Sequence, residues 1–274
     1  MRRILPVLLF ALAANAPLAA QGEKSFDHSK FDALLGAHVS EDGLVDYSGF
    51  DDSPDFQHYL TSLVEAKPEA LSETEQLAFW INSYNAYTIE LINRHQEKKS
   101  IRNINKTLGF FSGKGPWKER FAEVAGEEWT LDEIEHEVIR KRFFEPRIHF
   151  ALVCAALGCP PLLPEAYTGA ELGEQLDGRV RVFLLESPGK NRVVPGEGMV
   201  YLSPIFDWYR DDFPPGTPGL GLFLAQYYPP GPERTLLESG QFQIDHTDYD
   251  WKLNAQALEH PGSGNSSAPG RIPF

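Results

Sequence analysis

The chain lacks the features that identify several common classes of protein. No apolar run beyond its first residues approaches the 18 or so residues of a membrane-spanning helix. It has no Gly-x-Ser-x-Gly elbow and no Gly-Lys-Ser/Thr end of a phosphate loop, so serine-hydrolase and phosphate-loop chemistry have no support in the sequence. It has only two cysteines in 274 residues. All of its thiol chemistry therefore rests on two side chains.

Basic residues are also scarce relative to acidic ones. The chain holds 25 Lys and Arg against 39 Asp and Glu, a formal net charge of -14. Such a surface repels nucleic-acid backbones and anionic lipid headgroups. The expected partner is therefore a small-molecule or peptide ligand and not a nucleic acid. The sequence carries no motif that predicts a cofactor.

The first 20 residues are typical of a secretory signal peptide. Two arginines are followed by a short apolar run and an Ala-rich segment that ends near Ala20. We therefore expect cleavage there, a periplasmic or secreted location, and no stable membrane insertion afterwards. The predicted organisation is a signal peptide over 1–20, a single domain over 21–254 and a disordered tail over 255–274.

Helical patterns predominate between these ends, with few strand patterns. Helices are expected over 25–36, 54–66, 73–93, 131–142, 205–212 and 220–228, and a hairpin over 192–202. The short apolar run 149–154 is expected to be a buried strand. The fold class predicted is α+β, a mostly helical domain packed around a small β-sheet.

The clearest predicted helix carries two asparagines on an otherwise apolar face. It begins with the capping pattern Ser72-Glu-Thr-Glu75, and Asn82 and Asn85 share a stripe with alanine and isoleucine. If that stripe is buried, both amides need partners, because an unpaired buried amide costs about 1–3 kcal/mol. We therefore predict that both are hydrogen-bonded inside the protein.

Five motifs appear in an order that resembles the family called domain of unknown function 547. They extend from the helix with the asparagines to the last compact segment, and the family implies no established activity. The motifs are Phe79-Trp-Ile-Asn-Ser-Tyr-Asn85, Leu131-Asp-Glu-Ile-Glu-His136, Arg147-Ile-His-Phe-Ala-Leu-Val-Cys-Ala-Ala-Leu-Gly-Cys-Pro160, Leu202-Ser-Pro-Ile-Phe-Asp-Trp-Tyr-Arg-Asp-Asp-Phe213 and Tyr249-Asp-Trp-Lys-Leu-Asn254.

Both cysteines and a histidine lie within the eleven residues from His149 to Cys159. One hypothesis makes Cys154 a nucleophile whose pKa is lowered by His136 or His149. If the run is a strand, residues 149 and 154 point to opposite faces, which favours His136. The groups that could orient the imidazole are Glu135, Asn85 and Asp250. The corresponding function is hydrolysis or transfer at an amide or thioester.

Other interpretations of the same residues stay open. In an oxidising compartment Cys154 and Cys159 form a natural disulfide, and the protein is then a non-catalytic ligand- or partner-binding domain. A metal site built from both cysteines, His136 and His149 has weak support, because Cys-x4-Cys lies at the loose edge of zinc spacings. The aromatic runs around residues 208 and 249 are expected to form core or to line a groove for a sugar or peptide.

Overall fold

The computed structural model describes residues 24–105 and 115–256. These residues form a mostly helical α+β structure, which confirms the predicted fold class. The α-helices are α1 Ser29–His38, α2 Tyr47–Asp51, α3 Pro54–Glu65, α4 Glu73–Arg94, α5 Leu131–Glu133, α6 Arg140–Arg142, α7 Leu172–Leu185, α8 Ile205–Trp208, α9 Gly216–Ala225 and α10 Pro232–Ser239. Short 3-10 turns lie at Pro68–Ala70, Ile101–Asn103, Pro116–Lys118, Pro146–Phe150, Pro195–Glu197 and Arg210–Asp212.

Two small sheets accompany the helices. Strands β1 (Ala122–Val124) and β2 (Glu127–Trp129) form an antiparallel hairpin whose two turn residues have positive φ, as a tight hairpin turn requires. The other sheet has the order β3 (Arg192–Val194), β4 (Met199–Leu202), β5 (Gln243–His246). Strands β3 and β4 are antiparallel, which confirms the predicted hairpin, and β5 adds in parallel.

The helix with the two asparagines follows its prediction closely. Ser72 caps α4 by accepting a hydrogen bond from the Glu75 backbone amide at 3.4 Å, and most of the helix is buried. Asn82 donates to the Tyr167 carbonyl at 2.7 Å and accepts from the Tyr167 amide at 3.0 Å. Both the nitrogen and the oxygen of this buried amide thus hold the loop at Tyr167 in place. Asn85 makes an equivalent pair of hydrogen bonds, to the Ala151 carbonyl and from the Val153 amide.

The predicted helix over 131–142 is also present, with one local departure. Thr130 and Glu133 form a reciprocal capping box at its start. The helix then widens into a π-helical segment, Ile134–Ile139, between α5 and α6. A π turn inserts an extra residue into the helical repeat and is frequent at functional sites.

The predicted strand over 149–154 was wrong. His149 and Phe150 end the 3-10 turn Pro146–Phe150, and irregular chain follows. The run is apolar because it is buried, and burial alone does not separate a strand from other buried segments. The reason that no strand forms is that the Asn85 side chain, not a neighbouring strand, pairs with the backbone here.

The other predicted helices differ mainly at their ends. The pattern over 25–36 corresponds to α1, and that over 54–66 to α3. The pattern over 205–212 divides into α8 and a 3-10 turn, and α9 begins four residues before the predicted 220. The predicted signal peptide lies outside the described residues, as does nearly all of the tail. No helix in the described ranges is long and apolar enough to cross a membrane.

Buried apolar side chains form two clusters. The larger one gathers α1 to α5 and the chain through Leu176, and the smaller one gathers Phe150, the later part of α7, β4, α8 and α9. Tyr249 packs against both clusters. The two cores therefore meet beside the segment that contains Tyr249.

His28, at the start of α1, makes one prediction about stability. Its Nδ1 atom lies 2.7 Å from the Tyr59 hydroxyl, Nε2 has no hydrogen-bond partner in the described structure, and burial lowers the pKa of the imidazole to about 4. Below about pH 6.5, His28 binds a proton in the unfolded chain but stays neutral in the folded chain until the pH approaches 4. Stability should thus fall by about 1.4 kcal/mol per pH unit between about 6.5 and 4.

Urea unfolding of wild type and His28→Gln at pH 7 and pH 5.5 measures this effect. The variant should lose less stability over that interval than wild type, by about 1.4 kcal/mol. The exposed His58 offers a control, since His58→Gln should keep the wild-type pH dependence. An unchanged pH dependence in His28→Gln would show that another group is responsible.

Candidate functional site

A cavity of about 220 Å³ opens beside Tyr249. It receives side chains from α4, the π-helical segment, the turn at 146–150, the cysteine loop, α8 and the final segment. Its lining residues are Tyr84, Trp117, Asp132, Glu135, His136, His149, Leu152, Cys154, Cys159, Pro160, Ile205, Trp208, Tyr209, Tyr249 and Trp251. We call this cavity the aromatic pocket.

Glu135 is the most enclosed acid of the aromatic pocket, with 9% of its side chain exposed. Its carboxylate interacts with the hydroxyls of Tyr84 and Tyr209, and its negative charge also acts on Tyr249. Burial, reinforced by this negative charge, raises the pKa of all three tyrosines. All three therefore stay protonated at neutral pH, and the Tyr249 hydroxyl donates its hydrogen bond to the disulfide and not to Glu135.

His149 belongs to a separate polar group on the pocket wall. Its Nε2 atom lies 2.7 Å from Asp212 Oδ2, and Arg140 donates to the other Asp212 oxygen at 2.9 Å. The His149 ring stacks on Tyr209 with centroids 4.0 Å apart. The hydrogen bond from His149 and the contact with Arg140 hold the pKa of Asp212 well below its usual range, although burial opposes this.

His136 lies beside Glu135, with its Nδ1 atom 4.0 Å from Glu135 Oε1, and hydrogen-bonds to a different residue. Its Nδ1 atom lies 3.0 Å from an Arg140 guanidinium nitrogen, which makes Nδ1 the acceptor of that bond. Its Nε2 atom lies 3.7 Å from Asp132. Because Nδ1 accepts from a permanent cation, we assign the proton of the neutral ring to Nε2, on the side of Asp132.

The two cysteines are joined in a disulfide, with Cα atoms 6.3 Å apart, and the chain has no free thiol. Cys154 is half-buried, whereas Cys159 is 2% exposed. The Tyr249 hydroxyl lies 3.2 Å from Cys154 Sγ and donates to Cys159 Sγ at 3.1 Å. The disulfide is thus a wall of the aromatic pocket, in contact with one of its tyrosines.

The disulfide loop is held from two sides. On one side, Asn85 donates to the Ala151 carbonyl at 2.9 Å and accepts from the Val153 amide at 3.0 Å. On the other, the Leu157 and Gly158 amides donate to the carbonyls of residues 252 and 250, each at 2.8 Å. A Cβ atom at Gly158 would lie only 2.8 Å from the Tyr249 ring. Glycine is needed there for the close approach.

Three tryptophans and Tyr249 form the aromatic side of the pocket. The Trp251 ring lies 4.6 Å from that of Tyr249, 5.8 Å from Trp208 and 6.0 Å from Trp117, between centroids. Trp208 is 48% exposed, although large aromatic side chains are usually well buried. An exposed tryptophan at the rim of a cavity is available to a ligand.

The structure brings together four of the six residues proposed for the thiol site, and Asp250 is not among the residues that line the pocket. Cys154, His136, His149 and Glu135 all line the aromatic pocket. Asn85 lies behind it, with both ends of its amide bound to backbone. Among the described residues no hydrogen bond or ion pair joins Cys154 to either histidine. The argument that favoured His136 rested on a strand that does not form.

Sequence reasoning did not single out Tyr84, Trp117 or Asp132, which line the pocket, or Asp212, which binds His149. The aromatic residues around positions 208 and 249 are expected from the sequence to form core or to line a groove, and Trp208, Tyr209, Tyr249 and Trp251 line the pocket. In the described ranges no group of three or more His, Cys, Asp or Glu is arranged to hold a metal ion.

Comparison with known proteins finds a family match over part of the chain and no activity. Residues 68–184 match the family described as "Protein of unknown function, DUF547". The resemblance stated from the sequence is therefore confirmed over this range, which includes α4, the π-helical segment and the disulfide loop. No curated protein and no solved structure matches the chain.

Proposed function

We propose that this chain, which matches the domain of unknown function 547 family over residues 68–184, binds a small molecule in the aromatic pocket. In this proposal the Cys154–Cys159 disulfide shapes the pocket wall and supplies no nucleophile. A disulfide of this kind persists in an oxidising compartment. The periplasmic or extracellular location that we propose from the N-terminal residues agrees with it.

The observation that carries the proposal is the enclosure of Glu135. Its carboxylate lies at a cavity lined mainly by aromatic rings, where the hydroxyls of Tyr84 and Tyr209, from two separate parts of the chain, interact with it. Ligand sites are concave and mostly apolar, with a few converging polar groups. A core polar network has no need of the cavity or of an exposed tryptophan beside it.

A second candidate is hydrolysis or transfer at an amide or thioester through Cys154. The observation in its favour is that the half-buried Cys154 sulfur lines the same pocket as two histidines. The nucleophile in such chemistry is a thiolate. A reductant would therefore have to open the disulfide first, which is why we rank this function second.

Thermal unfolding in the presence of small ligands tests the binding function. A ligand that binds only the folded protein raises its Tm. We expect at least one member of a set of small cations, sugars and dipeptides to raise the Tm of wild type, and this shift to be lost in Trp208→Ala. Because Trp208 is half-exposed, its removal should change the Tm of the free protein little.

Trp129→Phe is the matched control, since Trp129 packs against Trp80 away from the pocket. It should keep the shift. A ligand-induced shift that is equal in wild type and Trp208→Ala would place binding elsewhere and contradict the proposal.

A further inference from the structure

The charge of the aromatic pocket indicates which ligands it accepts. Its described lining residues include the carboxylates of Asp132 and Glu135 but no lysine or arginine. A carboxylate among apolar rings favours a positively charged partner, because low-dielectric surroundings strengthen the attraction. From the aromatic pocket we infer a binding site for a small organic ammonium ion. This inference rests on the proposed function and deepens it.

The nearest cationic side chains are occupied elsewhere. Arg140 is held by both oxygens of Asp212. Arg102 is exposed and lies over the Trp251 ring, with its guanidinium carbon 5.0 Å from the ring centroid. Neither arginine lines the pocket. Among the described residues, the ion-pair contact of Glu135 is with His136, whose Nδ1 atom lies 4.0 Å from it and accepts a hydrogen bond from Arg140. No lysine or arginine pairs with Glu135 directly, so a ligand cation can still approach it.

The aromatic residues add a second attraction for the same kind of ligand. Trp208, Trp251 and Tyr249 form one contiguous group, and Tyr209 lies next to it. The faces of such rings attract cations, most strongly for tryptophan, and groups of rings are a known means of recognising alkylated ammonium ions. Alkyl groups on the nitrogen would contact the rings while the charge faces Glu135.

The size of the cavity sets the size of the ligand. An apolar protein cavity of about 150 Å³ admits benzene, so the 220 Å³ pocket admits a molecule somewhat larger. Choline is such a molecule, with a trimethylammonium group and a short hydroxyethyl arm. Its neutral analogue, in which carbon replaces the nitrogen, has nearly the same shape and lacks only the charge.

Calorimetric titration of the intact protein with choline, the neutral analogue and a methyl glucoside tests the inference. We expect choline to bind with a Kd at or below about 1 mM, and the neutral analogue to bind at least about tenfold more weakly. This comparison uses unmodified protein, so it does not depend on whether a variant folds. Equal binding of the two isosteres, or binding of the glucoside alone, would overturn the ammonium inference while leaving the binding function intact.

Two variants locate the charge that is recognised. Glu135→Gln should weaken choline binding by about tenfold or more. Glu137→Gln, in the same π-helical segment but exposed and paired with Lys141, should leave it unchanged. Equal weakening in both variants would overturn the inference, because it would point to the overall charge of the protein. If none of the three compounds binds and the wider ligand set raises no Tm, the proposed function fails as well.

Discussion

Replacement of Asn85 by alanine is expected to lower the free energy of unfolding by about 4 kcal/mol. The side chain is 3% exposed and satisfies one carbonyl and one amide of the chain that leads into the disulfide loop. Its removal leaves both groups buried without partners, at about 1–3 kcal/mol each. Urea unfolding measures the loss. A change within about half a kcal/mol, as at an ordinary surface position, would contradict this role.

Asn82→Ala is the matched control that separates a loss of stability from a specific effect on the aromatic pocket. Asn82 lies one turn earlier on α4 and makes the same two kinds of hydrogen bond, but to Tyr167. Both variants should lose similar stability. Only Asn85→Ala should also weaken ligand binding, because only Asn85 holds the backbone beside the aromatic pocket. Equal effects of the two variants on binding would show that the pocket responds merely to lost stability.

Replacement of either cysteine by alanine is expected to cost about 2 kcal/mol, with the two variants alike. Both remove the same disulfide, whose short loop limits the entropy that the bond withdraws from the unfolded chain. Wild type should show no reaction with iodoacetamide until a reductant is added. Each single variant should show one reactive thiol after unfolding.

The thiol hypothesis makes a different prediction for the same experiment. It expects Cys154 to react with iodoacetamide below neutral pH without reductant. Cys154→Ala would then lose that reaction and keep its stability, and Cys159→Ala would keep both. Intact-mass analysis of the native protein before and after alkylation distinguishes the two outcomes. Labelling of untreated wild type would contradict the structural role of the disulfide.

Local sequence patterns predicted much of the fold because they report local physics. The cap at Ser72 and the capping box at Thr130 mark helix starts through bonds to residues three positions away. The paired amides of Asn82 and Asn85 followed from a polar residue on an apolar stripe. The prediction for the run 149–154 was wrong because its backbone pairs with the side chain of Asn85, which lies more than 60 residues earlier in the chain.

Only some of the residues of the site could be predicted from local sequence patterns. Its residues were singled out where chemistry is concentrated in a short run, as at Cys154 and His149. The bonds that build the pocket join distant positions: Tyr249 meets the disulfide across 90 or more residues, and Asp212 meets His149 across 63. No periodicity encodes such distances. The sequence around Trp208 does not distinguish an exposed ring at the pocket from a ring in the core.

The central claim, that the aromatic pocket binds an organic ammonium ion beside an intact disulfide, is tested most directly by fluorine NMR of protein labelled with fluorotryptophan. Single tryptophan substitutions assign the five signals. On titration with choline under non-reducing conditions, the signals of Trp117, Trp208 and Trp251 should move while those of Trp80 and Trp129 stay in place. A titration in which all five signals stay in place, or in which the pocket signals move only after the disulfide is reduced, would contradict the account.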